Sequence, residues 1–132
     1  MNYHHFTLQE AQALVPWLQE TFDAIEPLKA DLGSAKERTQ GLMTRTQSNG
    51  GARAQEELEE AIRVLHEAED RIDELAYAIF ERGIFIRSLE QGLVDFPSMR
   101  DGREVYLCWL TGEPEVRHWH EVDAGFLGRQ LL

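Results

Sequence analysis

The amino-acid sequence predicts an α+β fold, in which a long antiparallel helical hairpin at residues 7–82 is followed by a small antiparallel β-meander at residues 84–122 that packs on it. Two observations lead to this prediction. Apolar residues recur every three or four positions in the first part of the chain, which is typical of amphipathic helices. After Gly83 the pattern changes to short β-prone runs separated by turn residues. Residues 123–132 are expected to form an irregular tail.

The first helix is predicted to begin at Thr7. Residues 7–10 have the spacing of a capping box, in which the Thr7 hydroxyl and the Glu10 carboxylate each accept a hydrogen bond from the other residue's backbone amide. The apolar stripe runs on through Pro16, where we expect a kink because proline removes a backbone donor. Helix propensity then weakens, and the helix is expected to continue to about Thr46.

The segment from Ala54 to Arg82 contains neither proline nor glycine and predicts the second helix. Its apolar residues follow a heptad-like seam in which Glu69 occupies one position. A turn signal at residues 48–51 joins the helices, so they should lie antiparallel. Two helices of this length carry more apolar surface than one small sheet can cover. We therefore expect a homodimer formed through the long helices.

Short strands are predicted in the last third of the chain. Residues 92–97 read as a strand that Pro97 stops. An Asp-Gly turn at residues 101–102 precedes a strand at residues 104–110, and a second turn leads to a strand at residues 115–121. This succession is typical of an antiparallel meander.

A five-residue loop between the last two strands would place Cys108 opposite His118 and Tyr106 opposite His120. Because side chains alternate along a strand, these four residues would share one face of the sheet. Cys108, His118 and His120 are therefore candidate ligands for zinc or another divalent transition metal. The alternative is a structural role, since a lone buried cysteine most often behaves as a small apolar residue.

Carboxylates near these histidines suggest acid–base chemistry. Glu113, His120 and Glu121 are candidate catalytic residues, because two carboxylates and a histidine can transfer protons where they converge. The alternative is that the carboxylates form internal ion pairs.

Four further residues are candidates for binding a ligand. Trp109 and Trp119 would share the second face of the sheet, as a pocket wall or as plain core. Arg129 could clamp a carboxylate or a phosphate. Alternatively, Arg129 would pair with Asp95 or Glu121 and tie the tail to the sheet. The candidate ligand-binding set is Asp95, Trp109, Trp119 and Arg129.

Composition narrows the function classes. The 132-residue length suggests a single domain. The net charge is −11, and residues 49–82 carry 10 acidic and 4 basic residues, so nonspecific binding to nucleic acid is not expected. No apolar run is long enough to span a membrane, and the N-terminus lacks the pattern of a secretory signal. The single cysteine fits a reducing compartment, so a cytoplasmic location is expected.

Several strings in this sequence resemble one family: FTLQEAQALVPWL, GLVDFP, GREVYLCW, GE and WHEVDAGFLGR. Together they are similar to the family known as domain of unknown function 2203 (DUF2203), over nearly the whole chain. The resemblance implies a small soluble bacterial-type protein and no particular reaction. The residues that recur in the family correspond here to Gly92, Leu93, Asp95, Phe96, Cys108, Trp109, Gly112, Glu113, Trp119, His120, Glu121, Gly125, Phe126 and Arg129.

Two functions are consistent with the sequence. One is a noncatalytic oligomeric module that binds a small ligand or a protein partner on its C-terminal sheet. The other is a small metal-dependent enzyme of the zinc type, such as a hydrolase, that uses His120 with neighbouring cysteine and glutamate side chains.

Overall fold

The structure is a computed structural model that describes residues 3–49 and 51–132, and it confirms the α+β fold. Two long helices are followed by a five-stranded antiparallel sheet in the order β1-β2-β3-β4-β5. Gly50, in the turn predicted at residues 48–51, lies outside the described residues. The elements are α1 (Leu8–Asn49), α2 (Ala52–Glu81), β1 (Phe85–Ser88), β2 (Leu93–Arg100), β3 (Arg103–Leu110), β4 (His118–Glu121), a 3-10 helix (Phe126–Gly128) and β5 (Gln130–Leu131).

The capping box at the start of α1 is confirmed. The backbone amide of Thr7 donates to Glu10 Oε1 at 2.8 Å, and the amide of Glu10 donates to Thr7 Oγ1 at 3.1 Å. The helix continues through Pro16 and reaches Asn49, three residues beyond the predicted end. Helix α2 ends before Gly83, whose φ of 84° suits glycine. No helix among the described residues is long and apolar enough to cross a membrane.

The contacts divide the chain into two compact units. The unit at Ala24–Leu75 consists of the adjoining segments of α1 and α2. Its buried apolar residues come from both helices, and Arg45 Nη2 bonds Glu57 Oε2 at 2.9 Å. Ala68 is buried while Glu69 is exposed, so the seam position predicted for Glu69 is wrong. The reason is that a straight helix drifts from a strict heptad, and the alanine one residue earlier turns inward.

The second unit comprises Met1–Asp23 with Ala76–Leu132, and it contains the whole sheet. Strands β2 and β3 are joined by the predicted turn, where Asp101 has a φ of 52° and Gly102 a φ of 78°. The apolar face of the sheet packs against α1 and the segment before it. Phe96 contacts Phe6 at a ring distance of 5.3 Å, and Trp109 contacts Phe22 at 6.2 Å.

Strand β2 passes through Pro97, so the prediction that Pro97 ends the strand is wrong. The Pro97 carbonyl accepts a hydrogen bond from the Phe6 amide at 2.7 Å. In an antiparallel strand the N and O atoms of one residue point to the same side, so the Pro97 nitrogen faces away from β3. The missing N–H therefore costs no ladder hydrogen bond.

Strand β4 is shorter than the predicted strand at residues 115–121. Two side chains take the backbone hydrogen bonds that a longer β3–β4 ladder would have made. The Gln12 side-chain amide from α1 exchanges hydrogen bonds with the N and O atoms of Val116, at 2.7 and 2.9 Å. Glu113 Oε1 accepts the hydrogen bond of the Leu110 amide at 2.7 Å. The predicted register nevertheless holds, because Cys108 pairs with His118 and Tyr106 with His120.

The tail at residues 123–132 is not irregular throughout, which corrects the prediction. It forms a 3-10 turn at Phe126–Gly128, and then β5 pairs with β4, with Leu131 opposite His118. The Leu132 amide also donates to the Arg117 carbonyl at 2.9 Å. Backbone pairing with an open sheet edge requires little side-chain pattern, so a two-residue strand leaves no clear signal in the sequence.

Candidate functional site

The face of the sheet opposite the one that packs on α1 carries most of the candidate site residues. Asp95 in β2, Cys108 in β3 and His118 in β4 lie opposite one another in consecutive ladder pairs. His120 lies one pair further along β4, opposite Tyr106. Alternation along the strands therefore brings the polar side chains of three strands together, as the predicted register required.

Asp95, Cys108 and His120 form a compact buried cluster. One potential ligand atom of each lies within 4.8 Å of the others. His120 Nε2 lies 3.0 Å from Asp95 Oδ1, and His120 Nδ1 lies 2.8 Å from the backbone oxygen of Glu121. Arg87 Nε donates to the other carboxylate oxygen, Asp95 Oδ2, at 2.9 Å. All three members of the cluster are buried, with exposures of 2 % or less.

Burial, together with the negative charge of nearby Asp95, raises the pKa of the Cys108 thiol to about 12. The thiol is therefore protonated near neutral pH in the metal-free protein. A nucleophilic cysteine requires the opposite shift, so Cys108 is a poor nucleophile in this environment.

Glu113, His118 and Arg129 form a second group beside this cluster. Arg129 Nη2 donates to Glu113 Oε2 at 2.6 Å and also contacts His118 Nδ1. His118 Nδ1 lies 3.4 Å from Glu113 Oε2. Arg129 thus ties the tail to the β3–β4 loop through Glu113, whereas the sequence suggested Asp95 or Glu121. Among the described residues, the buried Nε of Arg129 has no hydrogen-bond partner.

The remaining candidates lie elsewhere. Trp109 and Trp119 are buried on the apolar face, with exposures of 0 % and 6 %, and the Trp109 indole N–H donates to the Glu113 carbonyl at 3.0 Å. The Glu121 carboxylate accepts two-point hydrogen bonding from Arg103. These hydrogen bonds lower the pKa of Glu121. The structure therefore gathers Asp95 with Cys108 and His120, and it separates both tryptophans and the Glu121 carboxylate from them.

A cleft of about 440 Å³ opens over the buried cluster. Its floor consists of Asp95, Cys108 and His120. Arg87 lies at the cleft with 43 % of its side chain exposed, over the rings of Phe85 and Tyr106. The remaining lining residues are Leu93, Val122, Asp123, Ala124, Gly125 and Phe126.

Sequence reasoning missed Arg87 and did not place Asp95 beside Cys108. The position of Asp95 could have been found, because a two-residue Asp-Gly turn pairs Arg100 with Arg103 and counting back places Asp95 opposite Cys108. The position of Arg87 had no such signal, because the register of β1 shifts between Ile86 and Ser88.

A family model described as "Uncharacterized conserved protein (DUF2203)" matches residues 4–132. No curated protein and no solved structure matches the chain significantly.

Proposed function

We propose that this chain, which belongs to the DUF2203 family, is a noncatalytic binding module that holds a small ligand in the cleft on its C-terminal sheet. One observation carries this proposal. The cleft places a buried polar floor beneath a partly apolar wall, and both come from consecutive antiparallel strands and the segment that follows them. Small-molecule sites in proteins combine these two features.

The lining indicates what kind of molecule would fit. Leu93, Val122 and Phe126 offer apolar surface, whereas His120 and Asp95 offer polar atoms at the floor. Arg87 adds a positive charge at the edge of the cleft. A small molecule with an apolar body and one hydrogen-bonding end matches this arrangement, because only a few well-placed polar groups are needed to orient a ligand.

Ligand-observed NMR with a library of small ring compounds would test the proposal. The metal-free protein would be compared with Ala124→Trp, placed to fill this cleft, and with Leu8→Trp, placed at a cleft on the apolar face. We expect a subset of compounds to bind the native protein and Leu8→Trp but not Ala124→Trp. The proposal fails if no compound binds the native protein, or if Ala124→Trp binds the same compounds unchanged.

We further propose that the protein is a homodimer formed through the helical unit at Ala24–Leu75. This unit leaves Ile62 and Val64 exposed at 37 % and 42 %. A groove between its helices carries both Glu67 and Arg38, and charges of both signs suit a two-fold contact between identical surfaces. Size-exclusion chromatography with light scattering would test it, and a particle of 15.2 kDa at micromolar concentration would contradict it.

A metal-dependent hydrolase is the second candidate function. The grouping of Asp95, Cys108 and His120 supports it, because a metal held there would face the cleft. The proposed general bases are less favourably placed. Glu121 is bound by Arg103, and Glu113 is bound by Arg129 and the Leu110 amide.

A further inference from the structure

Three side-chain types that bind transition metals meet at the floor of the cleft. Carboxylate, thiolate and imidazole are the ligands that zinc accepts in proteins. Asp95, Cys108 and His120 come from three different strands, and their ligand atoms lie within 4.8 Å of one another. Tetrahedral coordination at bond lengths of about 2.0 to 2.3 Å needs ligand atoms separated by distances somewhat shorter than this. Small side-chain adjustments would therefore complete the site.

The hydrogen bonds of His120 provide an independent observation. Its Nδ1 lies 2.8 Å from a backbone carbonyl oxygen, which can only accept, so Nδ1 carries the hydrogen. In neutral imidazole the second nitrogen, Nε2, is then an acceptor. It lies 3.0 Å from Asp95 Oδ1, which is also an acceptor in a carboxylate. Two buried acceptors at this distance need a cation between them, either a proton or a metal ion.

The surroundings of His120 match those of a metal ligand. Histidine ligands commonly donate their other ring N–H to a backbone carbonyl, which fixes the orientation of the ring. The Glu121 carbonyl has this role here. Arg87 holds Asp95 Oδ2, so Oδ1 remains directed at the cluster. The imidazole and the carboxylate are therefore both oriented before an ion arrives.

We propose that Asp95 Oδ1, Cys108 Sγ and His120 Nε2 bind one divalent transition-metal ion of the zinc class, with the fourth coordination position open to the cleft. The proposal deepens the binding function described above, since it assigns an ion to the floor of the same cleft. It replaces His118 in the set of ligands suggested by the sequence with Asp95. His118 Nδ1 faces the Arg129 guanidinium and the Glu113 carboxylate instead, so His118 belongs to the second group.

Cobalt substitution tests the proposal directly. The 132-residue chain is stripped with a chelator, dialysed free of it, and titrated with Co²⁺ while the absorption spectrum is recorded. A sulfur-to-cobalt charge-transfer band that saturates at about one equivalent per chain is expected, because Cys108 is the only sulfur in the proposed set of ligands. Absence of that band in the folded native protein would overturn the proposal and leave a shared proton as the cation between His120 and Asp95.

Matched variants locate the ion. Cys108→Ser should abolish the band, and Asp95→Asn should weaken binding, whereas His118→Ala should keep the band because His118 lies outside the set. A band that survives Cys108→Ser, or one that is lost in His118→Ala with the fold intact by circular dichroism, would contradict the assignment. If a variant does not fold, the Co²⁺ titration of the native protein alone tests the metal site.

The compound screen described above uses metal-free protein, so the two proposals can fail separately. Compound binding without the cobalt band would reject the metal site and retain the cleft as a ligand site. The cobalt band without compound binding would retain the metal site and reject the small-molecule function.

Discussion

Both faces of the sheet contain buried residues, but different contacts bury them. The face toward α1 consists of apolar side chains such as Phe96 and Trp109, which pack against Phe6 and Phe22. The opposite face has a buried polar cluster around Asp95, which is held by a hydrogen bond to His120 and an ion pair with Arg87. The two sets alternate along the same strands, so one β-strand serves both a packed core and a polar site.

The two faces of the sheet should differ in how well they tolerate side-chain substitutions. Apolar packing is non-directional, and a smaller apolar side chain retains part of its stabilisation. The contacts of the polar face are directional, and removal of one partner leaves another buried group unsatisfied. The loss of stability should therefore increase with the side-chain volume removed on the apolar face. On the polar face it should increase with the number of hydrogen-bond partners left unsatisfied.

The largest effect is expected for Trp109→Ala on the apolar face. Trp109 is fully buried, and truncation of such a side chain should lower the free energy of unfolding by about 3–5 kcal/mol. Urea denaturation followed by circular dichroism would measure the loss. Trp109→Phe is the matched control and should lose clearly less, because it retains much of the apolar volume. Equal losses for both substitutions would show that the indole hydrogen bond to Glu113, and not packing, dominates.

A smaller effect is expected for Asp95→Ala on the polar face, measured in the metal-free protein. It removes the partner of both Arg87 and His120, and the expected loss is about 2–3 kcal/mol. The loss stays below that of Trp109→Ala because Arg87 is partly exposed and can be hydrated. Asp123→Ala, in the exposed part of the cleft, should change stability by less than about 0.5 kcal/mol. If Asp95→Ala leaves the free energy of unfolding unchanged, the polar network does not stabilise this face of the sheet.

A comparison of two arginine–glutamate ion pairs separates the effect of burial on stability from the effect of charge. Arg129 is 10 % exposed in its pair with Glu113, whereas Arg103 is 51 % exposed in its pair with Glu121. Arg129→Met should cost about 1–2 kcal/mol, because Glu113 is left partly buried without its cation. Arg103→Met should cost about 0–1 kcal/mol, because water replaces the lost contact. Equal costs in thermal unfolding would contradict the distinction between the pairs.

The pairing of the strands was more accessible to sequence reasoning than the convergence of side chains on the polar face. Alternation and turn spacing gave the register that pairs Cys108 with His118. Those signals are local, because each strand carries its own pattern and each tight turn fixes the next pairing. Whether His118 joins Cys108 and His120 depends on where Arg129 lies, because Arg129 contacts His118. Arg129 is positioned by the tail, and the tail showed no strand pattern.

The polar cluster also depends on side chains that replace backbone pairing. Glu113 takes the Leu110 amide, and Gln12 takes the backbone of Val116, so β4 starts only at His118. A glutamate in a turn and a glutamine on a helix surface occur in many sequences without such roles. The sequence could therefore predict that polar groups share one face, but not which of them converge.

The smallest effect is expected at the start of α1, the helix that covers the apolar face. The hydrogen bond from the Thr7 backbone lowers the pKa of Glu10. A carboxyl whose pKa is lower in the folded state stabilises the fold above its unfolded pKa of about 4.3, and it loses that contribution as the pH falls through the folded value. Glu10→Gln should therefore be slightly less stable than the native protein at neutral pH, and the difference should shrink in acid. Urea denaturation at neutral and acidic pH would measure it, with Glu20→Gln further along the same helix as the control. A difference that stays constant with pH would show that the hydrogen bonds of the cap, and not the charge of Glu10, secure this end of the helix.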